Sequence, residues 1–291
     1  MKLATHMRVA FQGERGAFSE EAAVKLLGDE VRLVPLPTFE AAFGAIANGA
    51  ADYILAPIEN SLAGPVHRSF DLLVESSLSI VGEVILRIEH NLIGPRGGTI
   101  EEVAIVESHP VALAQCERFF SARPGLKRIA TDDTAGSVRE IVQAGDRTRA
   151  AIASRRAAEL YGGQILREHL EDDAENYTRF LLLASPTEAA PEEADKLSLV
   201  FRLAHLPGAL YYALEPFARR DINLMKIESR PVHGLPWQYR FYLDLQATAR
   251  DPEVAKALGE LEKLAVDMRI LGSYVSAKTE NNTTAQLREQ S

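Results

Sequence analysis

The sequence predicts an α/β protein followed by a smaller mixed α+β domain, and three observations carry that reading. Short apolar runs of strand length alternate with amphipathic stretches of helix length through the first part of the chain. A hydroxyl or carboxyl residue stands at most of the junctions between them, where a helix needs its N-cap. Near residue 185 the composition shifts to a Pro- and Glu-containing linker, and a different order of elements begins. At 291 residues, the chain has room for two domains with separate cores.

In chain order, Val9 to Phe11 leads through a glycine turn, Gly13 to Gly16, to Ser19 and a helix from Glu20 to Leu27. Val31 to Val34 leads to Thr38 and an amphipathic stretch, Phe39 to Ala47. Tyr53 to Pro57 leads to Asn60 and Ser61, and Val103 to Val106 to Ser108 and a helix from Pro110 to Phe120. Lys127 to Ala130 precedes Asp133, Thr134 and a helix to Gln143; Ala150 to Ala153 precedes Ser154 and a helix to Leu160. The sheets are therefore expected to be mainly parallel. Their ligand edge is the carboxyl end of the strands, where helix N-termini offer free N–H groups to an anion.

Beyond the linker, Leu197, Leu199, Phe201 and Leu203 alternate as in a half-buried strand. Pro207 and Gly208 turn the chain into a helix with Leu210, Ala213, Leu214 and Phe217 on one face. Strands follow at Leu224 to Arg230 and around Tyr239 to Leu245, then a helix opened by Pro252 and a strand from Ile270 to Val275. This βαββαβ order is the ferredoxin-like split unit. Its open sheet edge leads us to expect a homo-oligomer. The polar tail, 278–291, is expected to be disordered.

The formal charge of −9 argues against a nucleic-acid or anionic-membrane partner, which would require a basic face. A single cysteine, Cys116, excludes an internal disulfide framework, and the His residues lack metal-ligand spacing, so no metal is expected. No apolar stretch is long enough to span a bilayer, and Met1 to Met7 has no secretory core, so a cytoplasmic location is expected. A pairing of His109 as base with Cys116 as nucleophile is rejected. The cysteine falls along the stem of its helix, among Leu113 and Phe119.

One stretch stands out chemically. Asn176, Tyr177, Thr178, Arg179 and Phe180 lie between an acidic turn, Glu171 to Glu175, and an apolar run, Leu181 to Ala184. A hydroxyl and a guanidinium at the mouth of a buried strand require partners. The stretch resembles the Asn-x-Thr-Arg-Phe signature of prephenate dehydratases. Gly13 to Ser19, Pro57 to Ser61, Ser108 to Pro110 with Gln115 and Cys116, and Asp133 to Ala135 agree with that family in order. The second domain resembles an ACT regulatory domain, with Gly208, Ala209, Leu210 and Glu228, Ser229, Arg230, Pro231 at its phenylalanine-binding motifs. Met225 stands where the family commonly has Thr.

The resemblance implies a catalytic domain of residues 8–184, two-lobed like a periplasmic binding protein. One lobe spans about 8–83 and 180–184, the other about 84–179, with crossings near Glu83 to Arg87 and Asn176 to Phe180. A linker, 185–195, and an ACT domain, 196–277, follow. No chorismate mutase segment precedes Arg8, so a fused mutase is not expected. The implied reaction converts prephenate to phenylpyruvate with loss of water and carbon dioxide and without a cofactor, under feedback by L-phenylalanine, in a dimer or tetramer. Thr178 is then the catalytic donor to the departing hydroxyl. Arg179 either clamps a carboxylate or pairs with Asp172, Asp173 or Glu175. Phe180 packs beneath the site. Asn60, Ser61 and Thr134 are candidate substrate partners at helix starts, and for Ser19 and Ser108 ligand contact competes with plain capping. Glu59 reads as a structural acceptor rather than a base. Arogenate dehydratase shares the signature, and a non-catalytic amino-acid sensor is the alternative from a different class.

Overall fold

The computed structural model describes residues 7–186 and 190–278. The N-terminal residues 1–6, the linker residues 187–189 and the tail from 279 onward, on which the expectation of disorder mostly falls, lie outside the described residues. Among the described residues, no helix is long and apolar enough to cross a membrane.

The chain opens with β1 (Arg8–Gln12), α1 (Phe18–Leu27), β2 (Arg32–Leu36), α2 (Phe39–Gly44), β3 (Tyr53–Asn60), the two-residue β4 (Gly64–Pro65), α3 (His67–Glu75) and β5 (Ser79–Arg87). It continues through β6 (Asn91–Gly94), β7 (Ile105–Ser108), α4 (Pro110–Ala114), α5 (Glu117–Ser121), β8 (Lys127–Ala130), α6 (Thr134–Ala144), β9 (Arg149–Ala153), α7 (Arg155–Tyr161) and β10 (Gln164–Arg167). Then β11 (Tyr177–Ala184) joins the first strands, giving a sheet in the order β2-β1-β3-β11-β5 with β4 on β3. A second sheet runs β10-β6-β9-β7-β8.

Four of the strand pairs are parallel, β1 with β2 and β3, and β7 with β8 and β9. Such strands are buried on both faces, which explains the unbroken apolar runs at Val9–Phe11 and Ala150–Ala153. In the second sheet, β6 pairs with β9 and β10 in antiparallel fashion.

Several local expectations change. Helix α1 begins at Phe18 with Ala17 as N-cap and no side-chain cap, so Ser19 sits inside the first turn. No helix starts at Asn60 or Ser61, because Asn60 ends β3 and the chain doubles back into β4. The helix expected from Pro110 to Phe120 is two short ones, with Cys116 at the break. There the Asp172 carboxylate accepts the N–H groups of Glu117 and Arg118, at 2.7 and 2.9 Å, and so caps a fresh helix start. Thr38, Asp133 and Ser154 do cap α2, α6 and α7.

The chain divides into two compact units. One comprises Val84–Leu181 with the chain up to Leu73; the other comprises Val74–Glu83 with the chain from Leu182 onward, a division that runs through β5 and β11 rather than through 185–195. Within the first unit, the turn after β1 is clamped to α7. Ser154 Oγ donates to Gly16 O at 2.6 Å and the Tyr161 hydroxyl donates to Arg15 O at 2.8 Å. The buried Glu20 carboxylate receives Arg15 Nε at 2.6 Å, Arg156 Nε at 2.7 Å and the Gly16 N–H at 3.1 Å. Gly16 has φ of +84°, and a Cβ there would lie 2.9 Å from Ala157 Cα, so this close approach requires glycine.

The second unit carries β12 (Lys196–Leu203), α8 (Ala209–Ala218), β13 (Leu224–Val232), β14 (Leu235–Leu245), α9 (Pro252–Leu264) and β15 (Ala265–Tyr274). They form an antiparallel sheet in the order β13-β14-β12-β15 with both helices on one face. The fully buried Leu197, Leu199, Phe201, Phe217, Leu243 and Leu245 make its core. β15 begins directly after α9, five residues before the expected start at Ile270. The start of β5 belongs to this unit. Lys196 Nζ contacts both oxygens of buried Glu83 at 3.0 Å, the Ala277 N–H donates to the same carboxylate, and Gly272 lies so close to Ile80 O that a Cβ there would be 2.1 Å away.

Burial alone would push the Glu20 carboxyl upward, but the bonds from Arg15, Arg156 and Gly16 outweigh it and hold the group below its ordinary value of 4.5. A carboxylate lowered in the folded state adds stability above its unfolded value and loses it as pH falls through the folded one. Glu20→Gln is therefore expected to lower unfolding free energy by about 1–2 kcal/mol at pH 7. The difference from wild type should narrow as urea unfolding is repeated below pH 4.5.

Candidate functional site

A cavity of about 460 Å³ lies in the first unit, bounded by the carboxyl ends of β1, β3 and β7 and by the first turns of α1, α4 and α6. β11 sends Thr178 and Phe180 into its wall, while Arg179 between them projects from the opposite face, as strand alternation requires. Pro57, Asn60, Phe18, Ser19, His90, His109, Gln115, Asp132, Asp133 and Thr134 also line it.

The polar wall is a single hydrogen-bonded network whose proton directions follow from one anchor. Asn60 Oδ1 accepts the backbone N–H groups of Leu62 and Ala63 at 3.0 and 2.8 Å, so its oxygen and nitrogen cannot be exchanged. Its Nδ2 must then donate, to Asn176 Oδ1 at 2.7 Å and to Thr178 Oγ at 3.0 Å. With its oxygen accepting, Asn176 donates through Nδ2 to Gln115 Oε1 at 3.0 Å. Gln115 Nε2 closes the loop on Asn60 Oδ1 at 3.3 Å. The last member is His90, whose Nε2 lies 2.9 Å from the same Gln115 Oε1 and therefore carries the proton. Thr178 Oγ accepts from Asn60, which leaves its own hydroxyl hydrogen for a further acceptor.

His90 is almost fully buried, and burial pushes its pKa down, against the raising effects of the Gln115 bond and Glu171. The ring is neutral as a result. Its position is fixed by backbone bonds, N–H to Glu171 Oε2 and C=O from Leu170 N–H, each 2.8 Å, and by an edge-on contact with Phe18. Burial drives the Cys116 thiol upward, aided by Asp172 and Glu171, so it stays protonated and inert.

The expected site residues divide. Thr178, Phe180, Asn60, Thr134 and Ser19 meet at the cavity. Ser61 does not line it: its hydroxyl donates to Glu175 O at 2.7 Å and accepts the Tyr177 N–H at 2.9 Å, fastening β3 to β11. Ser108 does not either, and it is not a cap, because its hydroxyl donates to Ile152 O at 2.6 Å while His109 Nδ1 accepts the Val111 N–H. Arg179 is 2.7 Å from Glu59 Oε1, an ion pair that lies off line for an Nε–H hydrogen bond. This partner is on the strand beside it, β3. His90, Gln115 and Asn176 are wall or network residues that sequence reasoning left without a role; the Asn of the signature was the available signal for the last.

In the second unit, a smaller cavity of about 120 Å³ is lined by Ala209 and Leu210 with His205, Leu206, Gln238 and Tyr239 among others. Gly208, at φ of +78°, begins α8, and a Cβ there would meet the Tyr212 ring at 3.0 Å. Glu228, Ser229, Arg230 and Pro231 lie along the edge strand β13 and do not line this cavity.

Comparison with known proteins follows the same geometry. A family model described as prephenate dehydratase matches residues 9–188. An Arabidopsis thaliana protein described as arogenate dehydratase/prephenate dehydratase 2, chloroplastic, is 44% identical over 280 residues, 93% of this chain and 73% of that one. Among solved structures, a prephenate dehydratase from Arthrobacter aurescens in complex with L-Phe aligns with a TM-score of 0.85 at 29% identity, over 97% of this chain and 99% of the other. GqqA, described as a novel type of quorum-quenching acylase, aligns with the same TM-score at 34% identity, over 94% and 99%.

The Glu59–Arg179 pair carries its own test. Arg179→Leu should lower stability by about 1–3 kcal/mol by stranding a half-buried carboxylate. In a urea double-mutant cycle with Glu59→Gln, the coupling between the two positions should be about 1 kcal/mol or more.

Proposed function

The chain belongs to the prephenate dehydratase family, and from that premise we propose that its cavity converts prephenate to phenylpyruvate, with Thr178 as the catalytic donor. The observation that carries the assignment is the Thr178 hydroxyl, which lines the cavity and accepts from Asn60 Nδ2 at 3.0 Å, so that its own hydrogen is left over to donate. In this reaction the C–CO₂ bond breaks and its electron pair enters the ring. The C4–O bond then breaks, the ring becomes aromatic, and hydroxide leaves as water once a proton reaches it. A threonine is a very weak acid, so Thr178 acts by hydrogen-bonding the oxygen as charge builds on it.

The surroundings support the same chemistry. Phe18, Phe39, Val66, Ile88 and Phe180 make much of the wall apolar, and a carboxylate held there is poorly solvated, which favours loss of carbon dioxide. The first turns of α1 and α6, at Ser19 and Thr134, offer backbone N–H groups to the second carboxylate.

A specific observation also favours arogenate as a substrate. Asp132 and Asp133 line the cavity, while no Lys or Arg is among its described lining residues. Two carboxylates on the protein suit the ammonium group of arogenate better than the keto oxygen of prephenate.

For regulation, we assign L-phenylalanine to the second unit, around Gly208, Ala209 and Leu210. The Arthrobacter relative solved with L-Phe supports effector binding in the family. Pairing of two copies would cover the exposed Met225 and Ile227 on the edge strand β13 and Trp237 beside it.

The purified protein, given prephenate and arogenate separately, should form phenylpyruvate or phenylalanine, and added L-phenylalanine should shift the rate. No turnover of either compound would end the dehydratase reading. Thr178→Ala should fold normally and lose about 100-fold or more in kcat. Asn60→Asp, whose carboxylate would draw the Thr178 hydroxyl proton toward itself, should lose at least about 10-fold in kcat.

A further inference from the structure

His90 presents a polar atom that the network leaves unused. With the proton on Nε2 and that proton given to Gln115, Nδ1 is a lone-pair acceptor, and it has no hydrogen-bond partner although the side chain is 1% exposed. A buried acceptor without a partner costs stability, and such groups are rare in folded proteins. The ring cannot relieve this by turning over, because Nε2 would then lose Gln115. Nor can Nδ1 become a donor without charging a ring that burial keeps neutral. Glu171, the carboxylate nearest in the bonding pattern, is engaged through the backbone N–H of His90 rather than through its ring. His90 lines the same cavity as Thr178.

We propose that His90 Nδ1 accepts a hydrogen bond from the ring hydroxyl of the substrate, holding that hydroxyl for Thr178. The inference rests on the dehydratase reading, and the chemistry of the substrate selects the group. Prephenate as a dianion has one hydrogen-bond donor, the hydroxyl on C4, and that oxygen is the one that must leave. The Thr178 hydroxyl donates to this oxygen, and the oxygen in turn donates to His90 Nδ1. The circuit is then continuous: His90 to Gln115, Asn176 to Gln115, Asn60 to Asn176 and to Thr178, Thr178 to substrate, substrate to His90. Both atoms that the network leaves without a partner, the Thr178 hydrogen and the His90 Nδ1 lone pair, are satisfied by one hydroxyl. As the C4–O bond breaks, the same acceptor keeps the departing hydroxide's own hydrogen turned away from Thr178, so that its lone pairs face the donor.

Two substitutions separate the nitrogens of the ring. His90→Gln can keep a donor near the Nε2 position for Gln115 but removes the Nδ1 acceptor. His90→Asn puts an amide oxygen close to the Nδ1 position and gives up the bond to Gln115. If Nδ1 receives the substrate, His90→Gln should lose about 5–10-fold in kcat, the worth of one neutral hydrogen bond, with KM changed less than about twofold. His90→Asn should retain more of the wild-type kcat than His90→Gln. A purely structural role through Gln115 gives the reverse order, and that order, or equal full activity in both variants, would overturn the proposal.

Should either variant fail to fold, the wild-type protein labelled with ¹⁵N-histidine answers the same question. The Nδ1 resonance should move on binding a saturated-ring analogue that carries the C4 hydroxyl and stay in place with its 4-deoxy counterpart. Equal shifts with the two compounds would refute the assignment. Wild-type turnover of prephenate is measured first, so that a failure of the dehydratase reading is recognised separately from a failure at His90.

Discussion

The two backbone N–H groups of Leu62 and Ala63 that hold the Asn60 oxygen are the constraint on which the rest of the site depends. A carboxamide is nearly symmetric in shape, and in most settings its two ends can be exchanged at small cost. Here the turn from β3 into β4 takes the oxygen, so the nitrogen has only donor work to do. Every later direction follows from that one, through Asn176, Gln115 and His90 in one branch and Thr178 in the other. The Thr178 hydroxyl is thus held by a hairpin turn and not by a charged neighbour. That suits a reaction in which the protein must offer a proton to an oxygen without itself holding a strong acid.

Buried charge in this molecule serves architecture. Glu20 holds the first turn against α7 through Arg15 and Arg156; Arg179 is matched to Glu59. Each pair is compensated where it stands, which is the condition for keeping an ion out of water. The cavity is lined by hydroxyls, amides, a neutral imidazole, helix starts and the carboxylates of Asp132 and Asp133.

Much of this was legible in the sequence where the cause is local. The alternation of apolar runs and amphipathic stretches gave the α/β layers and the βαββαβ order, and Thr38, Asp133 and Ser154 cap the helices that follow them because capping needs only neighbouring N–H groups. Ser61 and Ser108 carry the same residue type in the same setting, yet their hydroxyls go to Glu175, in the turn before β11, and to Ile152, on β9, both distant in sequence. Nothing nearby marks that choice. Arg179 shows the same limit, with an ion-pair partner, Glu59, on the adjacent strand β3 that is remote in sequence. His90 lies between β5 and β6 in a stretch with no periodic pattern, and its importance comes from where the fold brings Gln115. The short β6 and β10 escaped notice because four residues set no period.

The second unit is less separable than its linker suggests. A recombination event, natural or engineered, that cut the chain near residue 185 and moved the βαββαβ sheet to another protein would leave Glu83 behind. Lys196, with its side chain 6% exposed, would then enter its new host as a bare ammonium group in an apolar setting. Gly272, shaped to admit the Ile80 carbonyl, would face an open groove. The mobile genetic unit is therefore wider than the contiguous segment, and a transferable version of this sheet carries the opening half of β5 with it.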